Sequence, residues 1–219
     1  MPSSSEHLPP CPLCEAGACA PLHPGYALCA TCGLAFLLPG HHLSAAAEIA
    51  HYRTHENDPA DPRYRRFLDQ LAQPMMRRIP PPAHGLDYGS GPGPTLSVML
   101  EERGYTMRIY DPFFTPDPAS LARRYDFITC SETAEHFHHP GREFARLDQL
   151  IADGGWLGVM TQMFDAADED FRFADWWYRR DPTHVCFYQP RTMRWIARLF
   201  GWTVEFEGTS VALFHVRRS

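Results

Sequence analysis

Two groups of residues in this chain have types and spacings suited to chemistry. The first is a set of four cysteines in two C-x-x-C pairs, Cys11-Pro12-Leu13-Cys14 and Cys29-Ala30-Thr31-Cys32, with 14 residues between the pairs. Each pair turns two thiolates toward one point, and two pairs complete the tetrahedral sulfur shell that Zn²⁺ prefers. The spacing predicts a small structural zinc ribbon, with two disulfides or buried free thiols as the other readings of the same pattern. A shell of four sulfurs is closed to substrate, so its work would be folding or docking. Cys19 and His23 lie inside the loop without the paired spacing. The second group is Asp87-Tyr88-Gly89-Ser90-Gly91-Pro92-Gly93, an acid followed by three glycines at alternate positions, with a further acid at Asp111. Glycines without a Cβ let a backbone bend sharply and approach a ligand, and a following helix start offers free N–H groups. An acid at a strand tip is placed to accept hydrogen bonds from the two hydroxyls of a ribose.

The elements that must position this turn are legible around it. His84 to Tyr88 reads as a short strand, Thr95 to Arg103 as a helix and Thr106 to Tyr110 as a second strand ending on Asp111. That order is half of a nucleotide-binding α/β unit. A dinucleotide fingerprint, G-x-G-x-x-G, would require glycine where this chain has Pro94. A glycine-rich turn that binds nothing is the plainer alternative.

Length and composition suit one α/β domain with a small appendage: 219 residues, 44% hydrophobic and 21% charged. The formal net charge of −6 argues against a life on nucleic-acid phosphates. Every basic residue other than histidine is arginine, which excludes Schiff-base chemistry and a phosphate-loop lysine. There is no secretory leader pattern and no apolar run long enough to span a bilayer, so the expected compartment is the cytoplasm.

The acid-glycine turn with its second-strand acid resembles the first motif of class I S-adenosylmethionine-dependent methyltransferases. In that family the turn holds the methionine end of the cofactor and the second acid holds the ribose. The resemblance assigns the cofactor to Asp87, Gly89, Gly91, Gly93 and Asp111, and with them to Tyr88, Pro112, Phe113, Ser131 and Glu132 at the neighbouring strand tips. It implies an α/β fold with a Rossmann-like methyltransferase sheet. Only 14 residues, Pro112 to Tyr125, precede the next strand, Asp126 to Cys130. A helix-strand-helix excursion does not fit there, so the third-strand edge should be reduced to a helical turn.

Ser131-Glu132-Thr133-Ala134-Glu135-His136 follows that strand and resembles the E-x-x-E-H loop of the ubiquinone-pathway O-methyltransferases. The resemblance implies a divalent cation beside the acceptor, held here by Glu132, Glu135 and His136; the alternative is a helix cap bordering the adenosine pocket with no metal. Asp181-Pro182-Thr183-His184 looks like the segment after the fifth strand in the same group, where a histidine faces the active site. His184 is therefore the first candidate for general base and His136 the second, against a structural histidine satisfied by backbone.

The remaining stretches read as follows. Ala45 to His55 and Arg63 to Arg78 are predicted helices, interrupted by Pro59, Pro62 and Pro74. By resemblance this connector lies over the cofactor mouth, with Tyr52, His55 and Asn57 as lid or substrate contacts. A helix from Gly141 to Ala152 should stop at Asp153-Gly154-Gly155 and lead into a strand from Trp156 to Met160. The aromatic insertion from Met163 to Arg180 carries Trp177 and Tyr178 as substrate contacts, or forms the core of a surface flap. A helix from Pro190 to Phe200 and a closing hairpin complete the chain. The expected organisation is a ribbon at 1–40, a helical connector or lid at 41–82 and a methyltransferase domain at 83–219. The acceptor is read as an O, N or S atom of a small molecule. A zinc ribbon before such a domain also resembles ribosomal RNA base methyltransferases, and a cofactor-binding scaffold is the reading outside catalysis.

Overall fold

A computed structural model describes residues 8–54 and 57–218. The chain opens with a three-stranded antiparallel ribbon, β1 (Cys19–His23), β2 (Tyr26–Cys29) and β3 (Ala35–Leu37). Two helices follow, α1 (Ala45–Tyr52) and α2 (Pro62–Arg78). Then come β4 (His84–Tyr88), α3 (Thr95–Glu101), β5 (Thr106–Tyr110), β6 (Tyr125–Ser131), α4 (Pro140–Leu150) and β7 (Ile151–Met160). The chain finishes with β8 (Cys186–Phe187), α5 (Pro190–Phe200), β9 (Thr203–Glu207) and β10 (Val211–His215).

Six strands form one sheet in the order β5-β4-β6-β7-β10-β9. The first four are parallel, and β10 runs antiparallel to both β7 and β9. The chain goes from β4 outward to β5 and then returns to β6 on the other side of β4. Ligands in open α/β sheets bind at the carboxyl ends of strands where the order reverses in this way. Between β5 and β6 the described chain holds a short 3-10 turn, Pro118–Leu121, and an isolated bridge from Asp111 to Thr115. The third strand is absent among the described residues, in line with the short spacing.

Consecutive strand residues face opposite layers, as the two-residue period requires. Phe127 and Leu213 pack with Leu68, Leu71, Leu96 and Leu100 of α2 and α3, while Ile128 and Phe214 pack with Phe144, Leu147, Met193 and Ile196 of α4 and α5.

Three boundaries differ from the sequence expectation. Helix α2 runs through Pro74 instead of breaking there. An interior proline costs about 3 kcal/mol. The helix buries Leu68, Leu71, Ala72 and Met75 on one face, and each large apolar side chain returns about 1.5–3 kcal/mol. The tertiary gain wins. Helix α1 ends at Tyr52, and His55 lies outside the described residues. Strand β7 begins at Ile151, which pairs with Tyr125, so the Gly154-Gly155 segment is a bulge within the strand and not a helix stop. That bulge is held by the chain's end: Gly154 N donates to Val216 O at 2.8 Å and Val216 N to Gly155 O at 2.9 Å.

The ribbon does not stand apart. Strand β8, from the segment after β7, pairs with β3 and makes a four-stranded sheet β1-β2-β3-β8. Cys11, Cys29, Leu34 and Phe36 share a core with Tyr88, Phe144 and Tyr188. Among the described residues no helix is long and apolar enough to cross a membrane.

Candidate active site

The glycine turn between β4 and α3 closes onto the tip of β5. Gly89, at φ +81°, and Ser90 both donate their N–H to Tyr110 O, at 2.8 and 3.2 Å. Only glycine suits Gly89 on two counts. Its φ is in the left-handed region, and a Cβ there would stand 2.1 Å from Thr133 Cγ2 on the loop after β6. The Asp111 carboxylate is 7% exposed and is aimed by three backbone N–H groups. Oδ2 accepts from Gly91 N at 3.0 Å, and Oδ1 from Phe113 N at 2.8 Å and Phe114 N at 3.0 Å. Asp87 accepts from Thr129 Oγ1 at 3.0 Å and Ser97 Oγ at 3.3 Å. Burial outweighs those two bonds and lifts its carboxyl from the ordinary value to about 6.

These residues border a cavity of about 770 Å³ that extends from the turn across the tips of β4, β5 and β6. A volume of this size is within the range of small-molecule sites. Ser90 Oγ and Ser131 Oγ on its wall are buried and have no hydrogen-bond partner. Buried polar atoms are normally paired, so these two hydroxyls have bonding capacity left for a ligand or a water.

The far end of the cavity is built from side chains of four segments. Glu132, just after β6, has φ +46°, a strained conformation for a residue with a Cβ. Burial, with the Glu135 charge beside it, pushes the Glu132 carboxyl up to about 9. Tyr178 hydroxyl donates to Glu135 Oε1, lies 3.4 Å from Glu132 Oε2 and bonds Thr161 Oγ1 at 3.1 Å. Glu135 is fully buried, and its Oε2 has no partner.

His136 Nδ1 donates to Thr183 O at 3.0 Å and His184 Nδ1 to Tyr178 O at 2.7 Å. A carbonyl accepts only, so each bond fixes the proton on Nδ1 and leaves the Nε2 lone pair available. The two rings are 4.8 Å apart. Burial lowers the His184 pKa, which keeps that imidazole neutral. Asp181 works against burial through bonds from the Thr183 hydroxyl (2.5 Å) and N–H (2.9 Å), stays well below the usual carboxylate range and bonds His51 Nε2 at 3.2 Å.

The structure brings most of the sequence-predicted residues together here. Asp87, Tyr88, Gly89, Gly91, Gly93, Asp111, Pro112, Phe113, Ser131 and Glu132 border the cavity, as do Tyr52, Asn57, Trp177, Tyr178, His136 and His184. Asn57 lies against the turn: Thr95 Oγ1 donates to its carbonyl at 3.0 Å, and a Cβ on Gly93 would be 2.4 Å from it. Tyr52 packs edge-on against His136 at 5.2 Å. One grouping differs. Ligand atoms of Glu135, His136 and His184 lie within 4.8 Å of one another, so His184 and not Glu132 completes the acid–imidazole set. The chain reversal through Asp181 swings His184 onto His136.

The aromatic insertion divides between its two readings. Phe164, Phe173 and Tyr178 pack with Phe187 and Ala35 as a flap over the ribbon, and Trp177, 62% exposed, stands at the cavity mouth. Sequence reasoning missed Glu48, His51 and Thr161. Glu48 and His51 share one face of α1 with Tyr52, and that polar stripe is a signal that points inward here because α1 covers the cavity. The four cysteines converge as their spacing predicts: Cys11 Sγ is 3.5 Å from Cys32 Sγ and Cys14 Sγ 3.5 Å from Cys29 Sγ, and all four sulfurs lie within 4.8 Å of one another. These separations are too long for disulfides and match the edges of a sulfur tetrahedron around one ion.

Residues 52–206 match the family model described as a methyltransferase domain, which takes in the glycine turn, the β6 loop and the His184 segment. The chain belongs to this methyltransferase family. It is a methyltransferase with a sheet of the class I kind. Among solved structures it is similar to 1,6-didemethyltoxoflavin-N1-methyltransferase of Burkholderia thailandensis, at 16% identity and TM-score 0.53, over 92% of this chain and 99% of that one. It is also similar to an O-methyltransferase family protein from the same organism, at 16% identity and TM-score 0.50, over 80% of this chain and 63% of that one. At these identities the likeness is one of fold. No curated protein matches the sequence.

Proposed function

We propose that this methyltransferase transfers a methyl group from S-adenosylmethionine to an O, N or S atom of a small-molecule acceptor. The carrying observation is one continuous cavity with the glycine turn and Asp111 at one end and the acid–imidazole cluster at the other. Asp111 accepts the ribose hydroxyls, and the turn with Ser90, Ser131 and Asp87 receives the methionine end. Methyl transfer is an in-line displacement that depends mainly on positioning. The acceptor's lone pair forms the new bond to the methyl carbon while the carbon–sulfur bond breaks toward sulfur, giving the thioether product. The acceptor's proton passes to His184 Nε2, the neutral lone pair that the bond to Tyr178 O leaves available. Tyr52 and Trp177 cover and border the acceptor while Asn57 closes on the glycine turn, and the similar N1-methyltransferase structure holds a small molecule, 1,6-didemethyltoxoflavin.

A second reading of the cluster is favoured by the unpartnered Glu135 Oε2. A carboxylate oxygen of Glu135 and one ring nitrogen each of His136 and His184 lie within 4.8 Å of one another, a set that would suit a divalent cation, and Nδ1 bonds to carbonyls are the outer bonds that metal-bound imidazoles make. A cation there would lower the pKa of an acceptor hydroxyl. The four cysteines would hold a structural Zn²⁺ in a reducing, cytoplasmic setting. The division into ribbon, connector and catalytic domain is part of this reading, with β8 lent by the third unit to the first. RNA has little support: Arg65 bonds Glu102, Arg77 and Arg78 bond Glu205 and Glu207, and Arg179 bonds backbone carbonyls, so these arginines form no free stripe.

Calorimetric titration with S-adenosylmethionine, S-adenosylhomocysteine and NADH, with elemental analysis, tests the reading. Binding of the first two, none of NADH and one zinc per chain is the expected result. Failure to bind either sulfur compound would sink it. Activity of metal-stripped protein with and without added Mg²⁺ or Mn²⁺ separates base from cation.

A further inference from the structure

The ribbon and the acid–imidazole cluster are joined by a continuous backbone ladder. Leu37 N at the end of β3 donates to Val185 O at 2.9 Å, and Val185 N donates to Glu135 O at 2.8 Å. Val185 follows His184 directly and leads into β8, whose Cys186 and Phe187 pair with Phe36 and Ala35. Side chains repeat the link. Cys186 Sγ bonds Phe137 O at 3.2 Å and Tyr188 hydroxyl donates to Ala134 O at 2.9 Å, on either side of Glu135 and His136. The loop bearing Glu135 and His136 thus hangs from residues 185–188, and residues 185–188 hang from β3.

What holds β3 is the cysteine turn. Cys29 N donates to Leu34 O and Gly33 N to Cys29 O, each at 2.9 Å. Gln189 Nε2 reaches Gly33 O at 2.5 Å and Arg191 Nη2 reaches Ala30 O at 2.8 Å, so the helix after β8 is tied to the same turn. Among the described residues the cofactor turn makes no hydrogen bond to the ribbon or to residues 185–188; its one link toward the acceptor end is Thr133 Oγ1, which donates to Gly89 O at 3.2 Å. The side-chain and backbone bonds described above for Asp87, Gly89 and Asp111 go to residues of β5, α3, β6, the loop after β5 and the turn itself.

From this asymmetry we infer that the four-cysteine ribbon is the positioning element of the acceptor end: its metal-bound fold holds β3, and β3, through Val185, holds Glu135 and His184. The inference rests on the proposed function only in naming that end the acceptor's. The cysteines touch no reacting atom, and Leu37 and Val185 are positioning residues. The ribbon's two ascribed roles, folding and docking, then gain a third, which is to set the geometry at which an acceptor meets the methyl carbon.

The test uses the full, zinc-loaded chain and two readouts. The first is the pair of Nδ1–H signals of His136 and His184 in ¹H–¹⁵N spectra, which report the bonds to Thr183 O and Tyr178 O without any acceptor bound. The second is the Kd for S-adenosylhomocysteine. Leu37→Pro removes the one N–H that Val185 O accepts and leaves every cysteine in place; chelation of zinc from the unaltered chain is the parallel arm. The expected result is loss of both Nδ1–H signals in each arm, zinc retained in Leu37→Pro, and Kd held within about threefold because the two ends make separate contacts. Unchanged imidazole signals in either arm would overturn the inference. So would simultaneous loss of imidazole signals and cofactor binding in both arms, because the ribbon would then only support the whole core. If the unaltered chain fails to bind S-adenosylhomocysteine, the proposed function falls, and the imidazole signals alone judge the ribbon.

Discussion

The two ends of the cavity are made differently. At the cofactor end the contacts come mostly from backbone N–H groups and from acids that are already aimed, concentrated in two short stretches, residues 87–93 and 110–114. At the acceptor end they come from side chains on four segments: α1, the loop after β6, the insertion and the loop before β8. The first end is held by paired backbone groups and aimed acids, with only the Ser90 and Ser131 hydroxyls left without partners. The second carries a strained Glu132, an unpartnered Glu135 oxygen and a tyrosine whose proton is held far above its ordinary pKa by burial and the neighbouring carboxylates. Stored strain and unmet bonds of this kind cost stability and are retained where chemistry needs them. The difference says which end recognises a ligand common to the family and which adapts to one particular acceptor.

Changes at the cofactor end should be the most damaging. Gly89→Ala sets a Cβ 2.1 Å from Thr133 Cγ2 at a backbone φ of +81°, so the turn and the β6 loop cannot both keep their places. Calorimetry should show cofactor binding weakened by about a hundredfold or more, a loss of about 2.7 kcal/mol or greater. Next in size is His184→Ala, expected to lower kcat by about 10²–10⁴ while the Kd for S-adenosylhomocysteine hardly moves. If kcat fell and Kd rose together, the separation of the two ends would be wrong.

That separation also marks how far the sequence could be read. Asp87, the three glycines and Asp111 belong to one continuous strand–turn–helix–strand unit, so local spacing carries their geometry, and the loss of the third strand follows from a simple residue count. The cysteine pairs are legible for the same reason. The meeting of His184 with Glu135 and His136 is different: it depends on the reversal at Asp181 and on β8 joining β3, contacts between residues far apart in the chain. Glu132 fits the E-x-x-E-H spacing as well as His184 fits its own string, and only the fold decides between them. Pro74 inside α2 shows the same limit, since a strong local breaker yields to burial that no local pattern displays.

Stability should respond to pH chiefly at the acceptor end. Glu132 binds its proton up to about pH 9 in the folded chain and to an ordinary carboxylate value when unfolded. Between those limits the folded state holds more protons, so stability falls as pH rises, with a limiting slope of about 1.4 kcal/mol per pH unit for one proton. Glu132→Gln removes the ionisation and should flatten the profile. Denaturant midpoints of the two chains at pH 6 and 8 should diverge by on the order of 1–2 kcal/mol in favour of the variant at the higher pH. Asp87 has the same sign, with its window ending near pH 6, below this comparison. Parallel profiles would mean that Glu132 is ionised in the fold and that the acceptor end is less strained than its geometry implies.

The smallest effect belongs to Trp177. It is 62% exposed at the cavity mouth, and its nearest ring is Tyr178 at 5.3 Å, edge-on. Little of its surface is buried by the protein, so Trp177→Ala should change the unfolding free energy by no more than about 0.5 kcal/mol. A ring that stands free at the entrance contributes by covering a bound molecule, and stacking against an aromatic face is worth about 0.5–1.5 kcal/mol. With a flat acceptor, KM should therefore rise by roughly three- to tenfold with kcat nearly constant, because the contact is made equally before and during transfer. A fall in kcat instead would place Trp177 in the closure over the reacting atoms, and the acceptor end would extend further outward than the buried cluster alone.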